Sequence, residues 1–354
     1  MYALEEVQLD ADRFRAAVEA DQPYKPLYVK LKVTWACNLR CRMCNVWRQS
    51  RANALDADAL TALVNELADE GCQKVHLSGG EVLTRPDLFA LIEACVRRDI
   101  RVNLTTNGTL ITRDVALRLA DSGVRSISVS LDSPERKTHD ALRGDGAWKQ
   151  TVRGMTYLRK AIDRQKAKAR LRCNTVITRQ NYQSLVGLAD FAADLGYDCL
   201  TLIPVDDPSG ELRLNKKRLV EFNESIAHHL AQKGLENGLF QSVADAYPFG
   251  MSGRDLEYAK EGLYARGLYQ SQPCYAPWTH ALVTPQGRVY ACCMTRTLPR
   301  PLGNLSRQSF WAIWESERYR AFRQQSHRPT LYACQCCDDF LGANRALHAL
   351  MNCV

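Results

Sequence analysis

Three cysteines, Cys37, Cys41 and Cys44, stand within eight residues in the run Thr34-Trp35-Ala36-Cys37-Asn38-Leu39-Arg40-Cys41-Arg42-Met43-Cys44. The chain shows no export signal, and cytosolic thiols are kept reduced, so clustered cysteines point to metal or redox chemistry rather than disulfides. Three thiolates are one fewer than a four-iron cube needs, which leaves one iron open to a ligand, as catalytic metal sites do. A second group lies near the carboxyl end. A predicted strand Thr279–Thr284, a turn at Pro285-Gln286-Gly287 and a return strand ending at Cys292 bring Cys274 and Cys292 together. Cys334 and Cys337, at C-x2-C spacing, complete four thiolates with no open position, and Cys336 is able to replace either of them. A second cube and a four-thiolate zinc ion both suit this second set. For the first set, a zinc knuckle completed by a distant ligand is disfavoured, because zinc sites usually pair C-x2-C units and add histidines.

The elements that position these groups follow from pattern. Short β-branched runs alternate with amphipathic helical stretches from about residue 28 to 205, the signature of parallel strands joined by crossover helices. Strands are expected at Leu27–Val33, Lys74–Leu77, Arg101–Thr105, Ser126–Ser130, Arg170–Ile177 and Cys199–Pro204. Helices are expected at Asp56–Glu70, Pro86–Arg98, Thr112–Ser122, Trp148–Asp163, Tyr182–Leu195 and Lys216–Gln232, with an aromatic helix at Ser309–Gln324. Six βα units are too few for a closed eight-stranded barrel. The expected fold is therefore α/β, a partial (β/α)6 TIM-like barrel with a small C-terminal cysteine-rich domain. Its divisions are an N-terminal extension at 1–26, the partial barrel at 27–209, a helical connector at 210–270 and the cysteine-rich domain at 271–354. The first cysteine loop follows the first strand, at the end where parallel barrels carry their chemistry.

Composition excludes several classes. With 46% apolar residues the chain can bury a large core. No run approaches the ~18 apolar residues of a membrane span, so a soluble, cytoplasmic protein with no membrane partner is expected. Net charge is +8, with basic residues crowded at Arg153, Arg159, Lys160, Arg164, Lys166, Lys168, Arg170 and Arg172. A solvated helix face is the ordinary reading, and docking of an acidic electron donor or substrate the alternative. No zinc-finger or aromatic pattern accompanies the charge, so nucleic acid is not expected. Of the fourteen cysteines, Cys72, Cys95, Cys173, Cys199, Cys293, Cys336 and Cys353 are expected as small buried hydrophobes, Cys293 pointing away from Cys292 along a strand. One of these serving as a hydrogen-atom donor is the alternative.

The C-x3-C-x2-C loop after the first strand resembles the radical S-adenosylmethionine (SAM) superfamily. The resemblance implies a [4Fe-4S] cluster held by Cys37, Cys41 and Cys44, whose open iron is chelated by SAM, and a 5′-deoxyadenosyl radical that abstracts hydrogen. Gly79-Gly80-Glu81 resembles the family's GGE motif, with the glutamate expected at the SAM ammonium. Thr105-Thr106-Asn107-Gly108 is similar to the TTNG segment, and Ser128-Val129-Ser130-Leu131-Asp132 to the S-x-D strand end. These imply Thr106, Asn107 and Ser130 as cofactor contacts. Arg143 in the next loop resembles an arginine that meets the SAM carboxylate, Asn174 a recurrent strand-five asparagine, and Ile203 a residue whose backbone faces adenine.

The pattern C-x12-G-x4-C, then Leu302-Gly303-Asn304-Leu305, Trp311, Trp314 and C-x2-C, is similar to SPASM and twitch extensions over about residues 271–340. The full seven-cysteine SPASM run is absent, so the twitch form is expected, with one auxiliary [4Fe-4S] cluster on Cys274, Cys292, Cys334 and Cys337. The resemblance implies an oxidoreductase, served by a flavodoxin or ferredoxin as electron donor. It would dehydrogenate or epimerise a sugar, cyclitol or nucleoside, because the short N-terminus leaves no room for a leader-peptide recognition domain. Maturation of a ribosomally made peptide or protein is the alternative. The catalytic base or hydrogen-atom donor is not legible.

Overall fold

The computed structural model describes residues 4–352, and Cys353 lies outside them. The six expected parallel strands are present: β1 (Tyr28–Thr34), β2 (Lys74–Gly79), β3 (Arg101–Thr106), β4 (Ser126–Ser130), β5 (Arg170–Ile177) and β6 (Cys199–Pro204). Three more join the same sheet: β7 (His280–Val283), β8 (Arg288–Tyr290) and β9 (Gly303–Asn304). The order is β6-β5-β4-β3-β2-β1-β7-β8-β9. The cysteine-rich hairpin is thus no separate sheet. Its first strand pairs in parallel with β1, Tyr28 opposite His280 and Leu31 opposite Val283, and covers what would otherwise be an exposed edge.

Alternation along the strands sets two faces. Val29, Leu31, Val33, Val75, Leu77, Val102 and Leu104 are at most 1% exposed and pack under the helices. Helix Ala57–Asp69 starts where the Asp56 side chain accepts the Ala59 N–H at 2.9 Å, and lays Leu60, Leu63, Val64 and Leu67 on that face. Each such side chain contributes roughly 2 kcal/mol on burial, which fixes the register. The intervening residues Lys30, Lys32, Lys74, His76, Asn103, Thr105, Arg172, Asn174 and Thr201 turn to the concave side and stay partly exposed. The barrel lumen is polar and reached by solvent.

Several expected helices are divided. Ser309–Gln324 is two helices, Phe310–Trp314 and Glu317–Ser326, because the Ser316 side chain turns back to cap Tyr319 N. Tyr182–Leu195 opens as a 3-10 turn, Tyr182–Gly187, before its α-helix Leu188–Asp194. Lys216–Gln232 contains a π turn at Phe222–Ile226 and continues to Glu236. Helix Arg136–Arg143 had no sequence signal strong enough to place it. The N-terminal helices Leu4–Leu9 and Ala11–Glu19 pack with the C-terminal helix Leu341–Asn352 through Val7, Phe14, Val18, Trp278 and Leu347. Among the described residues no helix is long and apolar enough to cross a membrane.

Candidate active site

The loop after β1 carries Cys37, Cys41 and Cys44, with Cys41 the most buried. Its root is built by backbone. Gly80 N and Glu81 N each donate at 2.7 Å, to Thr34 O and Ala36 O. A Cβ on Gly79 would sit 2.2 Å from Thr34 O, and one on Gly80 2.1 Å from Ala36 O, so only glycine allows this approach. The loop is held on its other side by Arg42 N to Leu142 O at 2.9 Å, from helix Arg136–Arg143. Cys37, Cys41 and Cys44 act on one another electrostatically, and burial pushes the Cys41 thiol up to about 11. Metal binding would displace the proton that burial favours on Cys41.

Glu81 is the hub of the strand ends. It is fully buried, and its carboxylate accepts from Thr106 Oγ1 (2.6 Å), Asn107 N (2.7 Å) and Leu83 N (3.1 Å). Burial raises its pKa, and these three hydrogen bonds work in the opposite direction. The carboxylate expected at the SAM ammonium has no exposed surface, and both of its oxygens accept hydrogen bonds within the protein. Asn107 is similarly engaged. Its Nδ2 donates to Asn38 Oδ1 at 2.9 Å and its Oδ1 accepts from Thr109 N and Oγ1, while Asn38 Nδ2 donates to Thr109 Oγ1 at 2.8 Å. Thr106, 2% exposed, accepts from Gly108 N and donates only to Glu81. Glu81, Thr106 and Asn107 therefore form the frame of the cysteine loop. Asn38, between the first two cysteines, was missed from sequence, since no pattern marks a loop asparagine as a tie.

Arg143 lies at the last position of helix Arg136–Arg143, closed by Gly144 at φ +120°, and not in a loop as expected. Its Nε and one Nη pair with both oxygens of the fully buried Asp132, at 2.6 and 3.0 Å. Burial works against the guanidinium charge, but Asp132 and the nearby Cys41 and Cys44 hold its pKa above the ordinary value. Asp132 also accepts from Val176 N at 2.9 Å, fixing β5 to the same centre. Ser130 and Asn174 are register partners on neighbouring strands, partly exposed on the lumen side, as is Ile203. Asp132, quoted in the strand-end motif but not singled out, is the residue that orients Arg143.

Near the carboxyl end, Cys292 and Cys337 lie in one apolar cluster with Tyr269, Phe340 and Leu341, and Cys274, Cys293 and Cys334 pack against it. Asn344 Nδ2 approaches Cys274 Sγ at 3.6 Å and donates to Tyr269 Oη at 2.8 Å, and Tyr269 itself faces Cys274 and Cys337. Burial pushes Cys274 and Cys292 up to about 11 and Cys334 to about 12. Cys336 is outside this cluster, beside Tyr332, Asp206 and Arg213. Cys293 is not on a strand: β8 ends at Tyr290, and Cys293 precedes the 3-10 turn Met294–Thr297. Its thiol donates to Asp339 Oδ2 at 3.2 Å, with Lys30 Nζ 3.8 Å from the sulfur. Among the described residues no three His, Cys, Asp or Glu are gathered to hold a single metal ion. The donor chemistry of both sites suits iron-sulfur clusters: a loop of three thiols with the Leu39 N–H on Cys37 Sγ, and C-terminal thiols in an apolar wall with Asn344 beside Cys274.

These features coincide with known families. Residues 31–192 match the radical SAM superfamily and residues 274–338 the SPASM iron-sulfur cluster-binding domain. An AdoMet-dependent heme synthase of Methanosarcina barkeri is 30% identical over 312 residues, 84% of this chain and 85% of that protein. The mycofactocin maturase MftC of Mycobacterium tuberculosis is 27% identical over 318 residues, 89% of this chain and 76% of its own. Streptococcus suis SuiB bound to S-adenosylmethionine shares the fold, with TM-score 0.69 at 20% identity over 96% of this chain and 79% of SuiB. The chain belongs to the radical SAM superfamily and carries a C-terminal SPASM domain. Its cofactors are a [4Fe-4S] cluster, S-adenosylmethionine and auxiliary iron-sulfur chemistry in the C-terminal domain.

Proposed function

We propose that this radical SAM enzyme is a maturase of a ribosomally made peptide. The observation that carries the reading is the likeness to the mycofactocin maturase over 318 residues, 89% of the chain. The expected sugar, cyclitol or nucleoside substrate has no counterpart in the relatives described and gives way to what had been the alternative. A second reading, a step in the synthesis of a heme-type macrocycle, is favoured by the 30% identity to a heme synthase.

Cys37, Cys41 and Cys44 would hold the [4Fe-4S] cluster, which with bound SAM would supply the radical chemistry that begins with hydrogen abstraction from the substrate. In this reading Arg143, oriented by Asp132, faces the methionyl carboxylate, and Ser130, Asn174 and the Ile203 backbone line the adenosyl portion. Gly79 and Gly80 shape the contact turn, while Glu81, Thr106 and Asn107 hold it in place. Cys274, Cys292, Cys334 and Cys337 would hold one auxiliary cluster, which would supply an electron acceptor for a net oxidation of the substrate. A flavodoxin or ferredoxin supplies the reducing electron. We divide the functions between a catalytic barrel at 27–209 and an auxiliary-cluster domain from 271.

The test is co-expression with the small open reading frame nearest the gene, followed by mass spectrometry of the peptide. A mass change that disappears in the Cys37→Ala variant supports the reading. An unmodified peptide, with turnover of a porphyrin instead, would transfer it to the macrocycle reading.

A further inference from the structure

Strand β1 reads Tyr28-Val29-Lys30-Leu31-Lys32-Val33-Thr34, and its alternation sends both lysines into the lumen. Lys74 on β2 and Arg172 on β5 face the same space. The lumen therefore holds four cations from three strands. Facing them from the C-terminal segment are two carboxylates, Asp339, which is ion-paired to Lys30, and its neighbour Asp338. His76 is held neutral by burial and by Lys30 and Lys32, and hydrogen-bonds to Tyr28 and Thr105.

The other cations lack such compensation. Among the described residues Lys32 has no ion pair or hydrogen bond, and burial together with Lys30 and Arg296 lowers its pKa to about 8. Lys74 rests on the Tyr28 ring, 4.8 Å from its centroid, and is likewise lowered to about 8 by burial, Arg172 and Arg101. Arg172 approaches Cys199 Sγ at 3.7 Å, and its Nε is buried without a partner. Lys32 is within electrostatic reach of Cys44, on the first cysteine loop, and of Cys293, the neighbour in sequence of Cys292. Like charges brought together out of bulk water are unfavourable unless an anion joins them. The basic run of the sequence is thus divided. Arg153, Lys160, Arg164, Lys166 and Lys168 are on solvent, and Arg172 turns inward.

We infer that Lys32 binds a carboxylate of the substrate inside the barrel lumen, on the strand that leads into the first cysteine loop. A charged hydrogen-bonded pair in such a site positions the reacting part of the substrate as well as adding affinity. The inference rests on the proposed substrate readings only for the source of the carboxylate, an acidic peptide group or an acidic arm of a macrocycle.

The test measures equilibrium binding to anaerobically reconstituted, SAM-loaded holoenzyme with two probe pairs that differ only in charge. One pair is a porphyrin tetracarboxylate and its tetraester. The other is the peptide encoded beside the gene and the same peptide with every carboxylate amidated. At least one acidic member should bind about ten-fold more tightly than its neutral twin. Lys32→Met should remove that preference, and Lys32→Arg should keep most of it, with iron content and SAM affinity unchanged in both. Preference in the peptide pair identifies a peptide carboxylate. Preference in the porphyrin pair alone supports the inference and removes the peptide reading. Equal binding of acid and neutral forms in both pairs, a preference that survives Lys32→Met, or an equal loss of SAM affinity in that variant would overturn the inference. Peptide modification without charge preference would leave the maturase reading standing.

Discussion

The Glu81 carboxylate accepts the Asn107 N–H at 2.7 Å while the Glu81 N–H reaches Ala36 O at the same distance, so one buried residue joins the cysteine loop to the end of β3. Glu81→Ala would leave the Asn107 N–H and the Thr106 hydroxyl buried without their acceptor. Losing charged hydrogen bonds of this kind destabilises by about 3 kcal/mol. The expected outcome is a lower melting temperature and a lower iron content together, measured on the same preparation. A variant with normal melting and full iron that binds SAM weakly would instead assign Glu81 a direct ligand contact.

Asp132 and Arg143 form the second tie. Removing one partner of a buried ion pair destabilises by about 3–5 kcal/mol, because the other charge is left uncompensated. Asp132→Ala should therefore lower stability and also weaken SAM binding by releasing Arg143. Thermal unfolding and equilibrium SAM binding check the two parts. Wild-type SAM affinity in Asp132→Ala would show that the guanidinium has no part in holding the cofactor.

Glycine requirements differ sharply along the chain. Gly80→Ala forces a Cβ within 2.1 Å of Ala36 O, whereas at Gly253, opening helix Gly253–Lys260, nothing lies within 4 Å. Iron incorporation should collapse in Gly80→Ala and be normal in Gly253→Ala. Iron at wild-type level in Gly80→Ala would mean that the cysteine loop can be displaced without losing its metal.

The C-terminal ligand set was open at one position in the sequence, and Cys336 lies apart from the other cysteines of that site. Cys336→Ser should retain the full iron content, while Cys334→Ser and Cys337→Ser should each lose about half of it. Loss of iron in Cys336→Ser would exchange the assignment.

Much of this arrangement was legible because its signals are local. β-Branched alternation marked the six barrel strands, and cysteine spacing marked both metal sites. Asp56 and Thr112, at which two helices were expected to begin, cap them, accepting from Ala59 N and Val115 N. What escaped depends on distant partners. The pairing of β1 with β7 joins residues some 250 positions apart, and nothing in either strand names the other. Helix Arg136–Arg143 buries only His139, Leu142 and Arg143, too few apolar positions to give a period. The GGE motif identified Glu81 but not the direction of its carboxylate, which only the buried Thr106 and Asn107 donors determine. Lys30 and Lys32 alternate visibly with valine and leucine, yet a strand with one polar face ordinarily turns it to bulk solvent rather than to a lumen.

The most direct measurement combines iron analysis with electron paramagnetic resonance on wild type and on a variant lacking Cys37, Cys41 and Cys44. Wild-type protein should hold about eight irons per chain, about four at each cysteine site, and its spectrum should change on adding SAM. The triple variant should hold about four irons, show no SAM-dependent change, and form no 5′-deoxyadenosine under dithionite. Formation of 5′-deoxyadenosine by the triple variant would contradict the assignment of the radical-generating site to the loop after β1.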